Sequence, residues 1–102
     1  EAVVLKHQVN AFLGTDLKAQ LDAAGIEQIT LVGAMSHMCI DAAARASSDF
    51  GYATTVIHDA CATRDQEFEG QLIPAAQVHA AYMAALAFAY ANVASTEQYL
   101  AG

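Results

Sequence analysis

The chain has 102 residues, enough for one small domain with a modest core, and 56% of them are hydrophobic, so much of it must be buried in itself or against a partner. Eleven acidic residues against four lysines and arginines give a formal net charge of −7, which argues against nucleic acid and against an anionic membrane surface as partners. No apolar run reaches the ~18 residues of a membrane-spanning helix, no signal-peptide pattern is visible, and two cysteines make no disulfide framework, so the expected compartment is reducing and cytoplasmic.

Residues 2–5, Ala-Val-Val-Leu, read as a buried strand ending at Lys6. Residues 7–14 follow as a loop that contains Asn10, Ala11 and Phe12. Thr15 is the expected N-cap of a first helix, with Asp16 in its first turn, and Gly25 ends that helix after about Ala24. The apolar run 29–32 reads as a second strand, and Gly33 opens a turn into a helix expected over about 38–50. Gly51 stops that helix, residues 53–57 read as a third strand, and residues 60–73 as a long acidic loop. Pro74 suits the first position of a last helix reaching about Ala91, with a short final strand at 93–95. Strands and helices therefore alternate, which predicts an α/β fold with a parallel sheet covered on both faces and right-handed crossovers.

In such sheets, ligands bind beyond the carboxyl ends of the strands. Lys6, the turn 33–40 and Asp59 all lie at such ends and can converge there. Cys39 falls in the first turn of a helix just after a strand, where free backbone N–H groups and the helix dipole favour a thiolate. Strand, Gly-led turn, nucleophile and helix form the same device as a nucleophile elbow. A small buried cysteine is the competing reading for Cys39, and a plain surface lysine is the competing reading for Lys6. Asp59 is either a second charged group of the site or an Asx turn after its strand, and the turn is preferred. His37, His58 and His79 stand 21 residues apart, but their flanks differ, so the interval is read as chance. None has a second histidine at helical metal-ligand spacing, and no metal ligand set and no cofactor are expected within these residues. His37 either lines the pocket or serves as a cap or surface residue. Cys61 is expected to be small and buried, with an oxidative bridge to Cys39 as the alternative. The alanine-rich last helix reads as sheet covering, with a subunit contact through Tyr82, Phe88 or Tyr90 as an added role.

Taken in order, Lys6 in Val-Val-Leu-Lys-His, Asn10-Ala11-Phe12-x-Gly14-Thr15-Asp16-Leu17, the stretch from Leu31 to Ile40, Gly51-Tyr52 and His58-Asp59-Ala60-Cys61-Ala62 resemble the isochorismatase-like cysteine hydrolases, whose relatives include nicotinamidases and N-carbamoylsarcosine amidohydrolases. The resemblance runs along essentially the whole chain and rests on the ordered set. It implies a three-layer α-β-α fold of Rossmann-like topology, incomplete in this chain, and a catalytic Asp–Lys–Cys triad. Cys39 and Lys6 match two of its members. Met35 and Cys39 match the oxyanion-hole donors, with a cis peptide between Ala34 and Met35, while Asn10, Phe12 and His37 are candidates for the pocket. The family's aspartate ends a strand well before the lysine, and none of the acids here occupies that place.

Residues 1–102 are therefore expected to be the carboxyl-terminal portion of a single isochorismatase-like hydrolase domain, which a start at Glu1 directly in strand-like sequence also suggests. The implied function is hydrolysis of an amide or ureido C–N bond in a small molecule through a thioester. The partners implied are that small-molecule substrate, the missing amino-terminal part of the domain and further copies of the chain in a homo-oligomer. The fragment alone is expected to be inactive. The rival expectation is a non-catalytic fragment or pseudoenzyme acting as an association module.

Overall fold

Gly25, with φ +70°, turns the chain out of its first helix, α1 (Leu17–Ala23), and into the sheet. The structure, a computed structural model, describes residues 1–102. The N-cap position of α1 is Asp16 rather than the expected Thr15. The Asp16 side chain accepts from Gln20 Nε2 instead of capping, and Thr15 Oγ1 accepts from the Leu17 N–H at 3.4 Å.

Three strands form a parallel sheet in the order β1 (Gln28–Ala34), β2 (Ala53–Ala62) and β5 (Asn92–Ala94). The helix α2 (Cys39–Asp49) crosses from β1 to β2, and α3 (Ala75–Ala89) leads from β2 to β5. Because the strands are laid down in order across the sheet, right-handed crossovers put both helices on one face. Ile40 and Ala44 of α2, Met83 and Leu86 of α3 and Val56 of β2 make the core there, with Leu31 and Val93 packed against it. Burying Val56 and Leu86 completely stabilises the fold by ~1.5–3 kcal/mol for each side chain. Alternate residues point to the other face. There Thr30 Oγ1 meets Tyr99 Oη at 3.0 Å, and Asp59 holds Thr96, docking the short helix α4 (Thr96–Leu100). The α/β architecture with a mainly parallel sheet agrees with the strand–helix alternation of the sequence.

Five differences from these expectations follow. Residues 2–5 are not a strand: no neighbouring strand runs beside them, and Val3 and Leu5 are 88% and 77% exposed. β2 continues five residues past the expected end at Ile57, because its pairing with β1 shifts register; Leu31 faces Val56, but Gly33 faces Cys61. Within the expected acidic loop, β3 (Gln66–Phe68) and β4 (Gln71–Ile73) form an antiparallel hairpin. Its two turn residues, Glu69 and Gly70, both have positive φ, 51° and 76°, as tight hairpin turns require. Finally, α4 begins with a capping box, in which Ser95 Oγ accepts from the Gln98 N–H and Gln98 Oε1 from the Ser95 N–H. Pro74 is the N-cap of α3 rather than its first residue, and Asp65 Oδ1 accepts the Ala75 N–H at 2.8 Å.

Candidate active site

β1 delivers the chain to the carboxyl edge of the sheet at Ala34, and the Ala34–Met35 peptide is cis. A tight turn then reverses direction. Met35 O accepts the N–H groups of Met38 and Ile40, at 3.0 and 3.1 Å, and Ser36 N–H donates to Ala62 O at the end of β2. Cys39 is the first residue of α2, so its own N–H lies in the unpaired first turn. The N–H groups of Met35, His37 and Cys39 have no backbone acceptor. Lys6 Nζ reaches in from the amino-terminal segment and donates to Cys39 Sγ at 3.4 Å and to Gln8 O at 3.0 Å. The two residues are 33 positions apart in sequence, and only the fold joins them.

No carboxylate touches Lys6 or Cys39. The two ion pairs of the chain, Lys18–Asp22 and Arg45–Asp41, are local helical pairs elsewhere. Asp59 lies inside β2, not in an Asx turn, and its carboxylate accepts from the Thr96 hydroxyl and N–H at 2.7 and 2.8 Å. The Thr96 hydroxyl, then the Thr96 N–H, hold it below the usual aspartate range. Cys61 is a free thiol packed against the core, and burial pushes its pKa up.

The remaining pocket candidates divide. His37 sits in the turn, with Nδ1 hydrogen-bonded to Thr63 Oγ1 at 2.8 Å and its ring edge-on to Tyr82. Asn10 is turned back on its own loop, where Oδ1 accepts the Phe12 N–H. Phe12 packs on Phe50 and Tyr52, at the far end of an α2 about 16 Å long, and so is not brought to the thiol. Nearby, Asp22 is held below its usual range by the Lys18 ammonium and then by the Tyr52 hydroxyl. None of the four surface hollows is lined by Cys39 or Lys6; the largest, about 530 Å³, lies between β5 and α4 at Asn92, Tyr99 and Gly102. No three His, Cys, Asp or Glu side chains gather in a metal-binding group. One contact at the turn is invisible to sequence reasoning: the fully buried Ser36 hydroxyl is bonded to His79 Nδ1 of α3 at 2.6 Å.

The model of the isochorismatase domain family matches residues 1–98. The chain belongs to the isochorismatase family. It is 45% identical over 100 residues to the isochorismatase family protein YddQ of Bacillus subtilis, covering 98% of this chain and 56% of YddQ. A crystal structure of a candidate isochorismatase hydrolase from Oleispira antarctica superimposes with a TM-score of 0.97 at 64% identity, over the whole of this chain and 54% of that one. An N-carbamoylsarcosine amidase from Thermoplasma acidophilum superimposes with a TM-score of 0.72 at 26% identity, over 91% of this chain and 47% of that one. The chain thus spans about half the length of the family members it matches.

Proposed function

We propose that residues 1–102 are the carboxyl-terminal portion of a single isochorismatase-like domain and carry the thiol side of a cysteine hydrolase site. The reaction is hydrolysis of an amide or ureido C–N bond in a small molecule. Cys39 is the nucleophile, Lys6 is the cation beside it, and the N–H groups of Met35 and Cys39 receive the oxyanion. The observation that carries this reading is the 3.4 Å contact of Lys6 Nζ with Cys39 Sγ, at a helix start whose N–H groups have no backbone acceptor. The similarity to an amidase supports a C–N bond as the target.

The chemistry follows from these positions. A carboxylate from outside residues 1–102 takes the Cys39 proton, and the thiolate attacks the carbonyl carbon. Negative charge moves to the carbonyl oxygen and is met by the two N–H groups, a fixed arrangement that needs no reorganisation during the reaction. Collapse of the adduct expels the amine, which takes up the proton, and leaves a thioester. Water then attacks the thioester, the acid departs, and the thiol is restored.

Exposed apolar groups support the need for more polypeptide. Val3 and Leu5 stand next to Lys6 in sequence, and Val32 of β1 is 57% exposed on a strand that pairs along one edge only. Unpaired apolar edges invite association. The missing amino-terminal part of the domain would pair there and supply the aspartate. The helix α3 carries no charged residue in a chain of net charge −7, and Phe88 projects from it into solvent, which suits a homo-oligomer. Residues 1–102 alone are then inactive.

The test is to quench the intact protein in acid during turnover of small amides and ureides and to map the trapped acyl group by mass spectrometry. An acyl group on the Cys39 peptide is the expected result. Turnover with no adduct, undiminished in Cys39→Ala, overturns the reading.

A further inference from the structure

We propose that His79 of α3 is a positioning residue for the oxyanion hole, acting through Ser36 on the Met35 N–H. The inference rests on the reading above of Met35 as an oxyanion donor.

Ser36 lies between the two proposed donors, Met35 and Cys39, and is completely buried. A buried hydroxyl needs a partner, and small polar residues usually take one from nearby backbone. Ser36 does not. Its Oγ is bonded to His79 Nδ1 at 2.6 Å, across 43 positions of sequence. Its N–H is bonded to Ala62 O at 3.0 Å. Ser36 is therefore held by β2 through its N–H and by α3 through its side chain. Met35 O is held in addition by the Met38 and Ile40 N–H groups. With the Met35 carbonyl, the Ser36 N–H and the Ser36 side chain all tied, the backbone next to the Met35 N–H is restrained, and the Ser36–His79 bond is the tie that α3 supplies.

One turn further along α3, Tyr82 supports the next residue of the turn, with its ring 5.9 Å from that of His37. His37 is bonded in turn to Thr63, just beyond β2. The α3 face that carries His79 and Tyr82 thus braces two successive residues of the turn, while Met83 and Leu86 fasten the same helix to the core. Oxyanion donors act only if they are fixed where charge will develop, and a displacement of well under 1 Å weakens them. A mere space-filling role for His79 does not call for its nitrogen on the Ser36 hydroxyl.

Two reactions of the same thiol separate positioning from simple stability. With p-nitrophenyl acetate, the sulfur attacks the acetyl carbon, p-nitrophenolate leaves, and an oxyanion forms on the way to the S-acetyl enzyme. With iodoacetamide, the sulfur displaces iodide at a saturated carbon and no oxyanion forms. On the intact protein, Ser36→Ala and His79→Phe should each slow acetylation of Cys39 by ~10- to 100-fold and leave alkylation within about twofold. The double variant should be no slower than either single one, since both remove the same brace. His79→Asn, whose amide falls where Nδ1 sits, should recover most of the rate, and the equally polar His79→Gln should not. The Asn and Gln variants decide the matter if Ser36→Ala or His79→Phe fails to fold. Unchanged acetylation, a parallel loss of both reactions, or equal rates in the Asn and Gln variants would overturn the proposal while leaving Cys39 as nucleophile. If the unaltered protein is not acetylated at Cys39 at all, the hydrolase reading fails and this inference fails with it.

Discussion

Lys6 and Cys39 touch, but the regions that bring them together are held very differently. The turn that carries Cys39 is tied by backbone bonds to Met35 O and Ala62 O, by the Ser36–His79 bond and by the core contact of Ile40. The segment that carries Lys6 has no secondary structure through its first ten residues and exposes Val3, Leu5 and Val9. The turn of the proposed nucleophile is thus tied at several points, whereas the Lys6 side chain is held by its Nζ bonds to Gln8 O and Cys39 Sγ. Under the proposed reading, the difference teaches where further polypeptide would matter: less on the thiol side than on the Lys6 side, which an added strand would fix.

The largest effect is expected at the well-held partner. Cys39→Ala in the intact protein should lower amide hydrolysis by ~10⁴-fold or more, as loss of a nucleophile does in other acyl-transfer enzymes. Ammonia or amine release measures it, with an unchanged thermal midpoint as the control. Lys6→Met probes the loosely held partner and should cost ~10²–10³-fold in hydrolysis. Unlike the Ser36 and His79 variants, it should slow alkylation of Cys39 as well, because the cation acts on the sulfur itself in both reactions. A Lys6→Met protein with full activity would break the comparison, because the contact would then be incidental.

A smaller contrast lies between the two thiols. Cys39 is at a helix start beside an ammonium; Cys61 is in a strand against the core, and its pKa is raised chiefly by burial. A raised pKa keeps Cys61 protonated until the pH passes above the ordinary thiol range. At pH 7, limiting iodoacetamide should therefore label Cys39 at least ~10-fold faster than Cys61, read by peptide mapping. Raising the pH above about 9 should narrow the ratio, since only then does Cys61 gain thiolate. The opposite order of labelling would place the reactive thiol on the wrong strand for this site.

How much of this was legible in the sequence depended on the range of the interaction. The helices starting near Leu17, Cys39 and Ala75 and the starts of β1 and β2 follow from local apolar pattern and from Gly25, Gly51 and Pro74. The Glu69–Gly70 turn was in principle readable as a hairpin, and Ser95-Thr96-Glu97-Gln98 as a capping box, because both signals are local. The extension of β2 was not, since it arises from the register shift opposite Gly33. Neither was the failure of residues 2–5 to form a strand: their apolar pattern is correct for one, but a strand needs a neighbour. At the site, a meeting of Lys6 with the turn was inferable, but the strand end it was argued from is absent, since residues 2–5 are not a strand. The His79–Ser36 bond was not, because nothing in a helical histidine announces a partner 43 residues away.

The smallest expected effect concerns Asp59, which lies near the carboxyl edge but faces away from the thiol chemistry. Its carboxylate caps α4 through the Thr96 N–H and hydroxyl, and these bonds lower its pKa in the folded state. A group whose folded pKa is depressed contributes stability that is present above its unfolded value and is lost as pH falls through the folded one. Asp59 is exposed, so solvent screens the effect and the gain is small. Asp59→Asn should therefore lower the thermal midpoint at pH 7 slightly, and the gap to the unaltered protein should close as the pH is taken below about 4. Thermal unfolding followed by circular dichroism across that range measures both parts. Hydrolysis should be little affected, because Asp59 is engaged by Thr96 and does not touch Lys6 or Cys39. A large loss of turnover in Asp59→Asn with an unchanged midpoint would reverse this assignment, making Asp59 rather than an outside carboxylate the base for Cys39.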